Sequence, residues 1–183
     1  MKNNLLKGSI ITLILLLFLI SAVSVVSADN KGNSDLELLT LSKGGITIKY
    51  PSTWGNSQST SNYSVMAISK LDSIDSFGVG QVNIQVEKKS YTGDFYNFVN
   101  QSYNSMQKDT SFHLVSSGGV AVDGKEAVEY IYTSNQNGIE KEHKAIWFEK
   151  GGQAYVIMYS APIDQFENNL NVFDYILSEI QIT

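Results

Sequence analysis

The strongest constraint on the fold is the mainly apolar run Ala145 to Ala161, which contains the turn sequence Lys150-Gly151-Gly152-Gln153. Two apolar arms, Ala145 to Phe148 and Ala154 to Tyr159, flank these four residues, and a Gly-Gly pair in that setting is typical of a β-hairpin. Consecutive residues are apolar in both arms, so the alternation of a half-exposed strand is absent. A strand that is apolar on both faces must be covered on both, which predicts that this hairpin lies in the middle of a sheet.

The N-terminal residues have the pattern of a signal peptide. Met1 to Lys7 is short and basic, Ile10 to Ile20 is apolar apart from one threonine, and Val26-Ser27-Ala28 is a small-residue cleavage site. We therefore expect residues 1–28 to be removed and the protein to be exported to the extracellular space or the cell envelope. The alternative is an uncleaved membrane anchor, because Gly8 to Val26 carries no charge and would span about 28 Å as a helix.

The rest of the chain is predicted to form one domain. Residues 29–40 begin polar and carry Asn and Gly, which indicates a flexible lead-in. Residues 41–183 provide the length of a single domain, and 43% of the whole chain is hydrophobic. Its strands are expected at Gly45 to Tyr50, Tyr63 to Leu71, Val79 to Lys88, Phe112 to Ser117, Val120 to Val122, Lys125 to Thr133 and Ile139 to Glu149, besides the last arm of the hairpin.

Two segments show helical instead of strand periodicity. Apolar residues recur at helical spacing from about Thr92 to Lys108 and from about Pro162 to Leu177. Neither helix is apolar all round, whereas the strand Tyr155 to Tyr159 is apolar on both sides. The predicted fold class is therefore α+β, a central antiparallel sheet covered by helices on both faces. In this arrangement one helix faces Tyr155, Ile157 and Tyr159, and the other faces Val156 and Met158.

Three segments resemble PsbP-like proteins. The first is Gly45 to Trp54, where an alternating strand runs into Tyr-Pro and, three residues later, Trp. The second runs from Gly118-Gly119 through Asp123-Gly124-Lys125 into Tyr130-Ile131-Tyr132. The third is Gly152 to Ala161 with the helix that follows it. The likeness extends over residues 41–183.

The resemblance implies a central antiparallel sheet with helices on both sides, and a binding or scaffolding role rather than an enzymatic one. The family includes the extrinsic protein of the oxygen-evolving complex and many non-photosynthetic secreted relatives. All 13 basic residues of this chain are lysines and its net charge is −5. The basic docking segment expected of the photosystem protein is therefore missing, and we carry over the fold but not the partner.

Composition also excludes several kinds of site. There is no cysteine, so disulfides, thiol nucleophiles, Cys-based metal sites and lipid attachment at a processed cysteine are ruled out. An acidic chain without arginine lacks the bidentate donors that proteins use on phosphates and base edges, so nucleic acid is not expected as a partner. Neither a Gly-x-Ser-x-Gly elbow nor a phosphate-binding glycine loop before a helix occurs. We therefore predict no catalytic and no cofactor-binding residues.

The two histidines, His113 and His143, are not expected to bind metal. Glu142 precedes His143 in a strand, so their side chains point to opposite faces. Lys141, on the same face as His143, would repel a cation. The sequence thus predicts a solvated strand histidine at position 143 and no metal site. Four acidic residues lack the spacing of a calcium-binding loop, and we interpret them as a charged rim that keeps the protein soluble. They are Asp72, Asp75, Glu140 and Glu142.

Three further residues are candidates for specific roles. Trp54 is expected to be buried at a hairpin turn, and would be a ligand-contact residue only if it were exposed. Asn62 and Asn100 begin the glycosylation sequons Asn62-Tyr63-Ser64 and Asn100-Gln101-Ser102, of which the first lies at a loop edge and is the better candidate.

Two functional hypotheses follow. The first is an exported non-catalytic binding or scaffolding module whose partner is an unknown protein or envelope component, with membrane contact only through residues 1–28 if they are retained. The second is a carbohydrate-active or other hydrolytic enzyme with an acid pair that the sequence does not identify. A packed rim without a cleft would favour the first hypothesis, and a deep pocket with two facing carboxylates the second.

Overall fold

A computed structural model describes residues 37–136 and 138–183. The predicted signal peptide and residues 29–36 of the predicted lead-in lie outside these ranges. The elements in chain order are β1 (Leu38–Lys43), β2 (Ile46–Pro51), β3 (Trp54–Asn56), β4 (Ser64–Lys70), β5 (Asn83–Ser90), α1 (Phe95–Met106), β6 (His113–Val122), β7 (Lys125–Gln136), β8 (Ile139–Lys150), β9 (Gln153–Pro162), α2 (Ile163–Glu179) and β10 (Gln181–Ile182).

The strands form two antiparallel sheets. The larger has seven strands in the order β3-β4-β5-β9-β8-β7-β6, and the smaller has three in the order β1-β2-β10. β9 is the fourth strand of the larger sheet, so the prediction that the β8–β9 hairpin lies in the middle is confirmed. Its turn is made by Gly151 and Gly152, whose φ angles of 56° and 69° fall in the left-handed region that glycine adopts without a Cβ clash.

Successive residues of β9 pack into two separate apolar clusters. Tyr155, Ile157 and Tyr159 belong to a cluster that contains the buried residues of α2. Val156 belongs to a second cluster that contains the buried residues of α1, and Met158 packs against that cluster. The predicted division of β9 between the two helices is therefore observed.

Helices cover the sheet only in part. The cluster around α2 also takes Ile46, Ile48 and Tyr50 from β2, so the small sheet contributes to that side. β6 is exposed along almost its whole length. The structure is thus mainly antiparallel sheet with two helices, and the sandwich with helices over both faces is confirmed only in this coarser form.

Two segments differ from the sequence prediction. β1 begins at Leu38, so the last three residues of the predicted flexible lead-in are strand residues, ordered by main-chain pairing with β2. The two short strands predicted on either side of Gly118-Gly119 are one continuous strand, β6, which pairs with β7 through both glycines. A glycine pair predicts a turn when it is read locally, but the ladder with β7 keeps it extended.

Trp54 is the first residue of β3 and is 2% exposed, which confirms the prediction that it is buried. The condition under which it would be a ligand-contact residue is therefore not met. The predicted hairpin turn at this point is wrong, because β2 and β3 pair in different sheets. Within the described residues, no helix has both the length and the apolar character needed to span a membrane.

Candidate functional site

The last strand of the larger sheet, β6, has an unpaired edge. It lies at one end of the strand order, so β7 is its only partner among residues 37–136 and 138–183. Every residue from His113 to Gly119 is exposed, and no residue from Leu114 to Val122 is charged. Natural edge strands are usually protected by charges, prolines, bulges or a covering element. β6 has one bulge, between Leu114 and Ser116, and its remaining residues keep a regular register with β7.

The hairpin geometry shows which backbone groups of β6 face outward. Asp123 and Gly124, at φ angles of 47° and 69°, join β6 to β7 in a two-residue loop of the type favoured in hairpins. Residues that close such a loop exchange hydrogen bonds, and bonded and non-bonded pairs then alternate along the ladder. Ser117, Gly119 and Ala121 are consequently the residues whose N–H and C=O groups point away from β7.

A groove of about 590 Å³ runs beside this edge, between β6 and α1. Tyr96 and Asn100 of α1 form one wall, and Val128 and Tyr130 of β7 lie along it. The paired Gly118 and Gly119 leave the β6 side open, since a Cβ at either position would have no neighbour within 4 Å.

Aromatic contacts hold α1 in place above the sheet. The Tyr103 ring stacks on Tyr130 with a centroid separation of 3.7 Å, and Trp147 Nε1 donates a hydrogen bond of 2.9 Å to the Tyr103 hydroxyl. The Tyr130 hydroxyl in turn donates to Asn100 Oδ1 at 2.6 Å. Helix α1 starts at its N-cap Asp94, whose carboxylate accepts from the Asn97 amide at 2.9 Å. The groove therefore has a rigid wall.

A polar network lies on the same face of the sheet, centred on His143. The side chain is 1% exposed, its Nδ1 is 2.7 Å from the Ser160 hydroxyl, and its Nε2 is 3.0 Å from the Ser134 hydroxyl. The imidazole also stacks on the Tyr132 ring at 4.7 Å. The prediction of a solvated histidine is wrong, because pairing with β9 and β7 places two hydroxyls and an aromatic ring around it.

The same environment keeps His143 neutral. Burial, together with the smaller effect of the nearby positive charge of Lys141, lowers the pKa of His143 from 6.5 to about 4. A neutral imidazole has one donor and one acceptor nitrogen, so the two serine hydroxyls satisfy both.

The Ser160–His143 pair lacks the third group that nucleophilic catalysis uses. The far nitrogen of His143 contacts a serine hydroxyl, whereas in a triad a carboxylate orients the imidazole and stabilises its charged form. Glu142 does not take this role, because it lies on the opposite face of β8, where burial and the neighbouring Glu167 raise its pKa.

A small cavity adjoins this network. It has a volume of about 100 Å³ and is lined by residues of β4, β5, β8 and β9 and of the two loops around Ser59 and Gly80. Lys141, which is 5% exposed, and Ser160 both line it. The sequence prediction that Lys141 shares a face with His143 is confirmed, but both side chains are buried instead of lying on a solvated rim.

Two acidic residues lie opposite each other at the other end of the sheet. β7 and β8 pair Ala127 with Phe148, which makes Glu126 and Glu149 cross-strand neighbours beside Tyr91 and Tyr96. Both glutamates are exposed, and the hollow that they line, about 430 Å³, is an open one at the surface. Among the described residues, no group of three or more His, Asp or Glu side chains is arranged to hold a metal ion.

The remaining candidate residues lie apart from one another. Asn62 is exposed in the turn before β4, and Asn100 is exposed on α1 with its side-chain oxygen bonded to Tyr130. His113 is exposed at the start of β6. Asp72 and Asp75 are exposed in the connection between β4 and β5, as expected for a charged rim.

Sequence reasoning missed both the β6 edge and the cavity. The lack of charged residues from Leu114 to Val122 could have indicated one long strand with an uncharged edge. The glycine pair instead suggested a break between two short strands. The alternation of Lys141 and His143 with Ala145 and Trp147 on one face of β8 was the corresponding signal for the cavity.

Comparison with known proteins agrees with this architecture. The family model described as PsbP-like protein matches residues 20–182. The solution structure of cyanobacterial PsbP (CyanoP) from Synechocystis sp. PCC 6803 is similar with a TM-score of 0.58 and 16% identity, over 85% of this chain and 98% of that one. LpqN of Mycobacterium tuberculosis, described as involved in cell envelope biogenesis, is similar with a TM-score of 0.55 and 13% identity, over 81% of this chain and 91% of that one.

No curated protein sequence matches this chain significantly. At these identities the two structures show a common fold and nothing about activity. The family model covers most of the chain, including all three segments that carried the sequence resemblance. The chain therefore belongs to the family of PsbP-like proteins.

Proposed function

We propose that this protein is an exported, non-catalytic binding module of the cell surface or envelope that takes up an extended segment of a partner polypeptide along the β6 edge. The observation that carries the proposal is the regular, uncharged outer edge of β6 beside the groove under α1. An added strand would bond to the outward N–H and C=O groups of Ser117, Gly119 and Ala121. Each such main-chain hydrogen bond contributes about 0.5–1.5 kcal/mol net.

The groove supplies the selectivity that main-chain bonding lacks. Alternate side chains of an added strand point to the α1 side of the sheet, where Tyr96, Val128 and Tyr130 line the groove. The edge from Leu114 to Val122 carries no charge. Glu126 lines the groove beside this uncharged edge, so a segment with small, apolar or basic side chains fits better than an acidic one, whose carboxylate would lose hydration and face a like charge.

The chemistry of the other sites supports a non-catalytic role. A base with a pKa of about 4 is a weak proton acceptor at neutral pH, and His143 is bonded to hydroxyls on both sides. The exposed Glu126–Glu149 pair is where the alternative hypothesis, a hydrolytic enzyme, would place its acids. The hollow that they line is open at the surface and is not the deep pocket with facing carboxylates that this alternative requires, which argues against it.

Export is supported by the N-terminal sequence pattern and is in keeping with the envelope role described for LpqN. We expect mass spectrometry of the protein isolated from its native cells to find a chain that begins at Asp29. Detection of peptides from Met1 to Ala28 joined to the rest of the protein would instead favour the uncleaved anchor.

The β6 edge is tested with a proline that removes one outward donor. In Ala121→Pro the N–H that faces away from β7 is lost, and edge strands tolerate proline at such a position. The matched control is Ala121→Thr, which keeps the N–H and adds a side chain of similar polarity to the rest of β6. We expect proteins captured from the native envelope by the wild type to be captured by Ala121→Thr but reduced about two- to tenfold with Ala121→Pro, since one main-chain hydrogen bond is lost.

Circular dichroism melts of both variants establish that they are folded before capture is compared. The bound segment is then mapped by protease protection of the captured partner. We expect an extended stretch of the partner to be protected only when the wild-type protein is present. Equal capture by the two variants would show that the β6 edge is not the binding surface.

A further inference from the structure

We infer that the cavity around Lys141 is a binding site for a small monocarboxylate of about the size of acetate or propionate. The inference is independent of the β6 edge, because the cavity lies among β4, β5, β8 and β9 and none of its lining residues belongs to β6 or α1.

Lys141 carries its amino group at a buried position. Its side chain is buried, with 5% of its surface exposed, and its Nζ donates one hydrogen bond, 3.3 Å long, to the Gln81 carbonyl oxygen. No carboxylate of the described residues lies within 4.0 Å of this ammonium group. A buried ammonium without a counter-ion is strongly unfavourable in a folded protein. A cation held in this way indicates an anion that the fold itself does not supply.

Neighbouring charges do not remove the need for an anion. Glu87 lies on the same face of β5, but it does not line the cavity, and its carboxylate is paired with Lys89 at 3.1 Å. Glu142 follows Lys141 in β8 and therefore points to the other face. His143, on the same face, is kept neutral, so it neither competes for the anion nor attracts it. Burial lowers the pKa of Lys141 itself, and a bound anion would counteract that effect by stabilising the charged form.

The lining of the cavity suits a carboxylate with a short alkyl group. Besides Lys141, the hydroxyl-bearing residues Thr60 and Ser160 and the amide Gln58 line it, and no acidic residue does. Ala67 and Met158 form an apolar part of the wall. A single positive charge with neutral donors on one side and an apolar surface on the other matches a carboxylate that carries a short alkyl group. A multivalent oxyanion would need more positive charge than one lysine provides.

The volume of the cavity limits the size of the ligand. An apolar cavity of about 150 Å³ accommodates benzene, so the smaller cavity beside Lys141 holds a molecule smaller than benzene. The volume of about 100 Å³ is suitable for acetate or propionate, but not for a longer fatty acid.

The test is an NMR titration of the amide signals of the purified protein with sodium acetate, at an ionic strength held constant with sodium chloride. We expect saturable one-site shifts at the amides of Lys141 and Ser160. Propionate should bind similarly, whereas sodium hexanoate and sodium sulfate should bind at least about tenfold more weakly, on grounds of volume and charge respectively. The absence of saturable shifts with acetate, or equal binding of hexanoate or sulfate, would overturn the assignment.

Lys141→Met tests the role of the charge, because methionine is similar in length and apolar, and suits a buried position. We expect acetate to bind this variant at least about tenfold more weakly, since a charge-assisted hydrogen bond is lost. Lys108→Met, at an exposed position, should bind as the wild type does. Thr60→Val removes one lining hydroxyl without changing its shape and should weaken binding about threefold or more. Unchanged binding by both Lys141→Met and Thr60→Val would show that the anion binds elsewhere.

Discussion

Replacing Trp54 by alanine should lower the free energy of unfolding by about 3–5 kcal/mol, the range for a large aromatic removed from a packed core. The indole is 2% exposed and belongs to the apolar cluster that α2 and β2 share with the larger sheet. It is also the first residue of β3, opposite Lys70, at the end of the sheet. The surrounding side chains are held by two sheets and a helix and collapse poorly into the space left behind, which places the cost within this range.

Urea unfolding of wild type and Trp54→Ala measures this difference through the transition midpoints. Phe77→Ala is the matched control, because Phe77 is 80% exposed and its removal should change stability by no more than about 0.5 kcal/mol. Coincident midpoints for wild type and Trp54→Ala would contradict the packing of Trp54 described above.

The second large effect is a loss of stability in mild acid that depends on His143. Its pKa is about 4 in the folded protein and 6.5 in the unfolded chain, so the unfolded state binds more protons between these two values. The contribution of neutral His143 is therefore fully present above the unfolded pKa and is lost as the pH falls from 6.5 towards 4. With these pKa values, the free energy of unfolding should fall by about 2 kcal/mol between about pH 7.5 and pH 5.

The measurement is urea unfolding of the wild type and His143→Gln at several pH values in this window. Glutamine keeps one polar contact to the serines but does not titrate, so the fall of about 2 kcal/mol should be absent from the variant. His113→Gln is the control, because His113 is exposed at the start of β6, and it should retain the pH dependence of the wild type. A pH dependence that is equal in wild type and His143→Gln would show that other groups cause it.

Local patterns were sufficient for the parts of the fold whose polarity repeats along the chain. The β8–β9 hairpin followed from apolar arms around Gly151-Gly152, and both helices followed from their apolar stripes. The burial of Trp54 was predicted from its position after an alternating strand, together with the family resemblance. In each of these cases the nearest neighbours in sequence decide the conformation, and the apolar pattern states which side must be covered.

Pairing partners decided the parts that sequence reasoning missed. Gly118 and Gly119 remain extended because β7 pairs with them, and β1 is a strand because β2 is beside it. Neither neighbour is visible in the local sequence. The exposed edge of β6 depends in the same way on the order of strands in the sheet, which no short segment specifies.

His143 and Lys141 show most directly what the sequence by itself determined and what tertiary structure decided. Their alternation along β8 placed both side chains on one face, and this followed from the period of a strand. Whether that face met water or protein depended on residues of other elements: Ser160 on β9, Ser134 on β7 and the loop around Ser59. Burial is a property of the assembled sheet and not of a segment, so the lowered pKa values of both residues, and the cavity between the strands, arise only once these elements have packed together.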